Sequence, residues 1–493
     1  MAVWDMAEDK AWLGKLHGEL CALIAPVFAR ARSRFAAFAY VAALLAAAGD
    51  RGSCWQLGEQ AGHATPRRMQ ALLAEYAWDW RAVLERPQRF ILAHLAGPAA
   101  ILVLDETAEL KKGTMTVGVS RQHAGITGQI ENCQTVVFLA YVTARARTLF
   151  NFRLYLPGQW CQDTARRGRA RVPGGTVLAT RTEQGTAMIT DAVTASVPFG
   201  WAAGDEVYGR SSRLRAACED AGKGCVLAVP VNHQVRTPAG RKATVAALAR
   251  LVPARCWETR TCGHGRKGHR DYPRAMIATS SPRHWALVRR KISDPADLAF
   301  FYAHAPGLVS LSILVKVAGK RWPVEECFQQ GKGQAGLDQH QLRLWPSFHR
   351  HTVLSMCALA LLAVATARPP GTPVPWAPPR PGTTTPPRTG TGTTDQPRHR
   401  QAPRPPRRAA SPRHGPDPRH GTRSTQAPRR DRAPDLPLCL EHLAATPPST
   451  RPMAPLPGPA PGNPSMTQTT TGRSQTRTVV PASARREGTG RRE

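Results

Sequence analysis

Ala99-Ala-Ile-Leu-Val-Leu-Asp105-Glu-Thr107 is a run of apolar residues that ends on an acid. A short apolar run without alternation suits a strand buried on both faces, the kind that open α/β sheets contain. An acid at the carboxyl end of such a strand lies where those sheets place their sites. The chain repeats the pattern in Phe199-Gly-Trp-Ala-Ala-Gly-Asp205-Glu-Val-Tyr208-Gly209. The two runs predict an α/β fold with two aspartates at strand ends. Glu106 and Glu206 follow them directly and, as neighbours along a strand, are expected to face away.

A third acid stands in Arg321-Trp-Pro-Val-Glu325-Glu326-Cys-Phe-Gln-Gln-Gly-Lys332. Pro323 suits the first turn of a helix, where its missing N–H costs nothing. On that helix Arg321, Glu325 and Lys332 project at about 0°, 40° and 20°, one narrow face. Phe328 joins that side, while Glu326 points about 100° from Glu325. Charges so spaced also suit a solvated helix face with an i,i+4 pair. What sets Glu325 apart is the pair of strand-end aspartates. Three carboxylates make a site for hard cations: Mg²⁺ takes oxygen ligands, and two such ions clamp the attacking and leaving oxygens of a phosphoryl transfer.

These blocks resemble insertion-sequence transposases of the DDE type, whose catalytic fold is RNase H-like. The subgroup in question carries a Tyr-x2-Arg-x3-Glu-x6-Lys signature. Arg321-x3-Glu325-x6-Lys332 fits it, with Trp322 after the arginine; the tyrosine position is Ala318, a departure. Leu104-Asp105-Glu-Thr107 with Leu110-Lys-Lys-Gly113, Gly204-Asp205-Glu-Val-Tyr-Gly209 and Gly128-Gln-Ile-Glu-Asn-Cys-Gln134 are similar to the family as well. The resemblance spans residues 15–367 and implies a metal-dependent DNA endonuclease that binds element ends and performs strand cleavage and strand transfer. It implies two Mg²⁺ ions, or Mn²⁺, with Asp105 bridging both and Asp205 and Glu325 holding one each. Arg321 and Lys332 would then contact phosphates beside them. Lys111 and Lys112 also face the choice between DNA and an ordinary lysine surface. The implied partner is double-stranded DNA, both element end and target, gripped by a dimer. A function of another class stays open: a decayed remnant that binds DNA without cutting it.

Composition agrees with a polyanionic partner. The formal net charge is +33 and the isoelectric point is near 11.0, which points to nucleic acid. From Pro369 onward the chain has 20 Arg against 7 Asp and Glu and no Lys, so 13 of those charges lie there and 20 in residues 1–368. That final segment also holds 28 of the 44 prolines. Such a composition cannot bury enough apolar area to offset chain entropy, which predicts disorder over 368–493. It reads either as a basic arm or as out-of-frame translation of a GC-rich gene. The 11 cysteines include no Cys-x2-Cys pair, and Met1–Lys15 lacks an apolar leader core; both predict reduced thiols in the cytoplasm, and the resemblance implies a bacterial cell, with the protein at the nucleoid when DNA-bound. Cys256-x5-Cys262-Gly-His264-x4-His269 has superficial zinc spacing, with a first gap wider than common structural sites use. Thr352–Thr366 is apolar but shorter than the roughly 20 residues that span a bilayer, so it predicts a buried helix and no membrane partner.

Residues 1–98 show helical periodicity, with a candidate helix-turn-helix at Cys54–Gln60 and Pro66–Tyr76 whose second helix offers Arg67, Arg68 and Gln70. Trp78 and Trp80 read as core. Residues 99–230 form the first part of the catalytic core. Strands are predicted at Met115–Gln122, Gln134–Thr143 and Cys225–Val229, helices at Glu183–Ala195 and Ser211–Ala221, and a loop over 157–175. Residues 231–295 read as a basic, β-rich insertion in which Arg266, Lys267, Arg270, Arg289, Arg290 and Lys291 either track phosphates or form a solvated face. Residues 296–367 return to the core, with a helix over Leu308–Ala318 before the one that carries Glu325.

Overall fold

The computed structural model describes residues 6–47, 52–265 and 268–367. The Pro/Arg-rich tail, Arg266, Lys267 and the rings of His264 and His269 lie outside the described residues, and the readings made of them with them.

The amino-terminal part is helical: α1 (Met6–Ile24), α2 (Ala31–Ala46), α3 (Cys54–Gln60), α4 (Arg67–Ala74) and α5 (Trp80–Leu95). Ser53 and Gln56 close a reciprocal capping box at the start of α3. On α4, Met69, Leu72 and Leu73 are buried while Arg67, Arg68 and Gln70 are exposed. Trp78 is core, its indole N–H donating to the Leu72 carbonyl at 2.8 Å.

A sheet follows, with β1 (Ile101–Leu110), β2 (Ser120–Ala124), β3 (Gln129–Val142) and β4 (Arg147–Leu154). The chain turns at Gly118, whose φ of +77° only glycine adopts readily, so β2 begins later than Met115. The predicted loop over 157–175 contains two short helices, α6 (Gly158–Gln162) and α7 (Thr164–Arg169). Asp163 explains the second: its carboxylate accepts from Arg166 N at 2.7 Å and caps the turn despite the nearby Gly and Pro. Then come α8 (Arg181–Thr194), β5 (Trp201–Gly204), α9 (Glu206–Gly209), α10 (Ser212–Asp220) and β6 (Gly224–Val229).

The segment read as an insertion holds β7 (Gln234–Arg236), β8 (Lys242–Thr244), α11 (Val245–Arg250), β9 (Glu258–Gly265), β10 (Gly268–Ala278) and β11 (His284–Arg290). The chain returns through β12 (Leu298–His304), α12 (Leu311–Gly319), α13 (Pro323–Ala335) and α14 (Trp345–Thr366).

The main sheet runs β2–β3–β1–β5–β6–β12–β11–β10–β9, with β4 on the same edge of β3 as β2. It is mixed. β1, β5 and β6 are parallel, and the flanking pairs are antiparallel. The strands of the insertion therefore continue the core sheet through β12, which pairs with β6 on one side and β11 on the other. A small second core of Val229, Val235, Val245, Ala249, Ala286, Val288 and Phe300 sits under them.

Helix α14 is the hub of the main core, packing on α1, α2, α4, α5, α13 and β4. With 22 residues it is longer than its apolar stretch foretold, because Trp345-Pro346 opens it rather than preceding it. It is long and apolar enough to cross a membrane, yet 89% of its apolar window is buried within the protein. It is a core helix here. Gly336, at φ +61°, ends α13 in the left-handed conformation typical of helix termini.

Candidate active site

Strand register brings the two aspartates side by side. β1 and β5 are parallel, and Leu104 pairs with Gly204. The next residue on each segment is the acid, so Asp105 and Asp205 stand at the same level; β5 ends at Gly204 as the apolar run implied, but β1 runs on to Leu110 against β3, so Asp105 lies within its strand rather than at its end. Asp205 then caps α9, its Oδ1 accepting from Val207 N at 2.9 Å. Asp105 Oδ1 accepts from Glu106 N at 2.8 Å.

Both carboxyls are held above their ordinary range. Burial is the main cause for Asp105, pushed up to about 7, and the charge of Asp205 adds to it; Arg321 opposes. Burial and then Glu106 raise Asp205. Two poorly solvated like charges disfavour ionisation together. This donor set therefore favours a cation.

Helix α13 supplies the third acid. Pro323 stands in its first turn with Glu325 and Glu326, where negative charge suits the helix dipole. The Arg321 guanidinium lies between two acids, 3.5 Å from Asp105 Oδ2 and 3.3 Å from Glu325 Oε1. Glu325 is thereby tied toward Asp105. Glu326 goes elsewhere, to Arg147 on β4 at 2.6 Å. Arg321 thus makes acid contacts that its expected role at phosphate did not include.

Glu106 occupies the other face of β1. It accepts from Arg181 of α8 at 2.6 Å and from the buried Tyr208 hydroxyl at 2.9 Å. Its side chain faces away as strand alternation demands, yet its charge still helps to raise both aspartates. Glu206 is exposed. Arg181, Tyr208 and Arg147 were not singled out from sequence. Tyr208 carried the one available signal, standing three residues after Asp205.

The expected DNA contacts are placed unevenly. Lys111 is engaged: its ammonium lies 2.9 Å from Glu109 Oε2 and donates to the His340 carbonyl at 3.3 Å, with the side chain only 11% exposed. Burial opposes ionisation of Glu109, but His340 and Lys111 hold it well below the usual carboxylate range. Lys112 is exposed. Arg67 pairs with Glu75 on the surface, and Arg68 lies 3.5 Å from the His63 ring. Lys332 is half-buried, and among the described residues it has no ion-pair partner. In the insertion, Arg289 and Lys291 share Asp297, and Arg290 stacks 3.8 Å from the Trp257 ring centroid. Cys256 is exposed, and Cys262 points its thiol at the Arg270 carbonyl.

Residues 24–293 match the DDE superfamily endonuclease family, more than half of the chain. The chain belongs to this family. The matched span carries Asp105 and Asp205 and stops short of α13. A probable transposase for insertion sequence element IS701 from Microchaete diplosiphon is 24% identical over 222 residues, which is 45% of this chain. That match covers 55% of the relative, so the chain spans about half of its length. Enzymes of the DDE superfamily generally use divalent metals. The oxygen-only donors Asp105, Asp205 and Glu325, the two aspartates raised by burial, fit a hard divalent cation.

Proposed function

We propose that the protein is a DNA transposase that cuts and joins DNA at Asp105, Asp205 and Glu325. The observation that carries this reading is the level placement of Asp105 and Asp205, each one residue past the Leu104–Gly204 pair of two parallel strands, with Arg321 between Asp105 and Glu325. The meander of β4, β3 and β1 followed by parallel β5 and β6 supports an RNase H-like core over 99–230 and 296–367, interrupted by 231–295. The insertion-sequence relative supports DNA ends as substrate.

In this reading Asp105, Asp205 and Glu325 would hold the Mg²⁺ or Mn²⁺ ions. Bound there, the ions would supply charge neutralisation at phosphorus and acidify the attacking hydroxyl. The chain's own contribution is placement. Arg321 fixes the rotamer of Glu325, and Asp205 is oriented by the first turn of α9. The network of Glu106, Tyr208 and Arg181 stiffens the opposite face of β1. Water is the nucleophile of cleavage, and a DNA 3′-hydroxyl that of strand transfer. Arg67, Arg68, Lys112 and Lys332 contact phosphates of a double-stranded end bound by a protein dimer; Lys111, already paired, holds β1 to the loop after α13.

A second reading rests on Ala318, which is buried in α12 where the resembled signature has a tyrosine. It makes the protein a DNA-binding remnant without activity. Nicking of a supercoiled plasmid with Mg²⁺ separates the two. We expect the wild type to nick and Asp205→Asn to bind DNA without nicking, a loss of roughly 10³-fold or more, as removal of several kcal/mol of charge stabilisation gives. Binding without nicking by the wild type would establish the remnant. Undiminished nicking by Asp205→Asn would place the chemistry elsewhere.

A further inference from the structure

His284 opens β11 and His304 closes β12, and the two are direct partners in the antiparallel ladder. Directly opposed residues project from the same face of a sheet. Their ring centroids are 4.8 Å apart. Glu219, in the last turn of α10, brings Oε1 to 3.5 Å from His284 Nε2. One donor atom from each of the three lies within 4.8 Å of the others. A tetrahedral ion with bonds of about 2.0–2.1 Å separates its ligand atoms by about 3.3 Å, so small rotamer adjustments complete the set.

One observation favours a metal over a plain His–Glu ion pair. Nδ1 of His284 and Nδ1 of His304 are both buried with no hydrogen-bond partner among the described residues, and His304 is only 8% exposed. Buried polar atoms are seldom left unmatched without reason. Two nitrogens and one carboxylate oxygen are a donor set for zinc rather than for Mg²⁺.

We propose that Glu219, His284 and His304 bind one zinc-class divalent ion that fastens the β11–β12 hairpin to α10. The site is separate from the acids. His304 pairs with Cys225, and Cys225 with Ala202, three residues before Asp205. At about 3.3 Å per residue and 4.8 Å between strands, the two places are more than about 10 Å apart. Glu219 and His304 come from segments assigned to the core and His284 from the insertion, so the ion joins the two across the sheet. Three protein ligands leave the fourth position to water.

The test uses the full chain, stripped with EDTA and titrated with Zn²⁺ alone, in the wild type and in Asp205→Asn. The second protein keeps the acids from confusing the count. Asp205→Asn is expected to take up one equivalent, and both proteins are expected to melt at a higher temperature with zinc. His284→Gln and Glu219→Gln are expected to lose at least ten-fold in zinc affinity while far-UV circular dichroism shows the fold retained. Co²⁺ in place of zinc is expected to give the visible absorption of a four-coordinate site in the wild type. Absence of that band, or undiminished zinc uptake by both Gln variants, would overturn the proposal. Should a variant fail to fold, the wild-type Co²⁺ spectrum decides alone.

Discussion

Asp105, Asp205 and Glu325 are oxygen donors within β1, just after β5 and on α13; Glu219, His284 and His304 are a mixed nitrogen and oxygen set on α10, β11 and β12. In the acid cluster, burial and mutual repulsion work against the charged state, and a protein cation, Arg321, already stands between two of its members. In the histidine cluster, burial first of all holds both rings below the ordinary histidine value. The acid cluster is under electrostatic stress until a cation enters. The histidine cluster bears two unmatched ring nitrogens. The difference predicts that substitutions at the acids change stability with pH in a way that substitutions at the histidines do not.

The largest expected effect is at Asp105. Its folded carboxyl titrates at about 7, against an ordinary value of 3.8. Between those values the folded chain holds a proton that the unfolded chain has released. The stability of the metal-free protein therefore falls as pH rises from about 4 to 7 and levels off above. The span corresponds to about 4 kcal/mol at most. Asp105→Asn removes the penalty. In EDTA the variant should be more stable than the wild type at pH 8 and equal to it near pH 4, read from urea midpoints, although it should not cut DNA. A variant less stable than the wild type at pH 8 would mean that the Arg321 ion pair outweighs burial.

Arg321 comes next. Removing the cation between two acids leaves their repulsion uncompensated. The contacts are long, at 3.5 and 3.3 Å, and the guanidinium is 27% exposed, so the cost sits well below that of breaking a fully buried pair. Arg321→Ala should lose about 1–2 kcal/mol at pH 8 without metal and much less with 10 mM or so of Mg²⁺. Equal losses with and without Mg²⁺ would show that Arg321 acts through packing, and the contrast between the clusters would weaken.

The two clusters also differ in how far sequence reveals them. Asp105 and Asp205 each end an apolar run, a local signal, and Glu325 shares a helix face with Arg321, also local. Strand termini and helix faces are properties of a few consecutive residues. His284, His304 and Glu219 meet only through the register of β11 on β12 and the packing of α10, which no local pattern encodes. The pairing of β12 with both β6 and β11 has the same non-local origin, so 231–295 read as an insertion without the sequence showing that its strands extend the main sheet. Lys111 misled for a related reason. It reads as a surface lysine beside Lys112, and only the fold supplies Glu109 and His340 as its partners.

The smallest effect is expected at Lys332, and it asks whether the acid cluster extends to a DNA surface. Lys332 lies two turns beyond Glu325 on α13, about 10 Å by helical rise, too far to pair with it. Among the described residues no other acid takes its charge. Its place in the last turn of α13 offers one alternative, since positive charge there suits the helix dipole. The two roles separate by salt. A lysine that meets phosphate releases counterions, so Lys332→Ala should lower the slope of log affinity against log salt by about 0.9. Fold stability should change by no more than about 0.5 kcal/mol, as at an ordinary surface position. A lysine that serves only the helix terminus would leave the slope untouched and shift the melting curve instead. Filter binding of end-containing DNA between 50 and 300 mM or so of salt, beside a melt of the same two proteins, distinguishes them. An unchanged slope would confine the DNA-contacting surface next to the acids to residues other than Lys332.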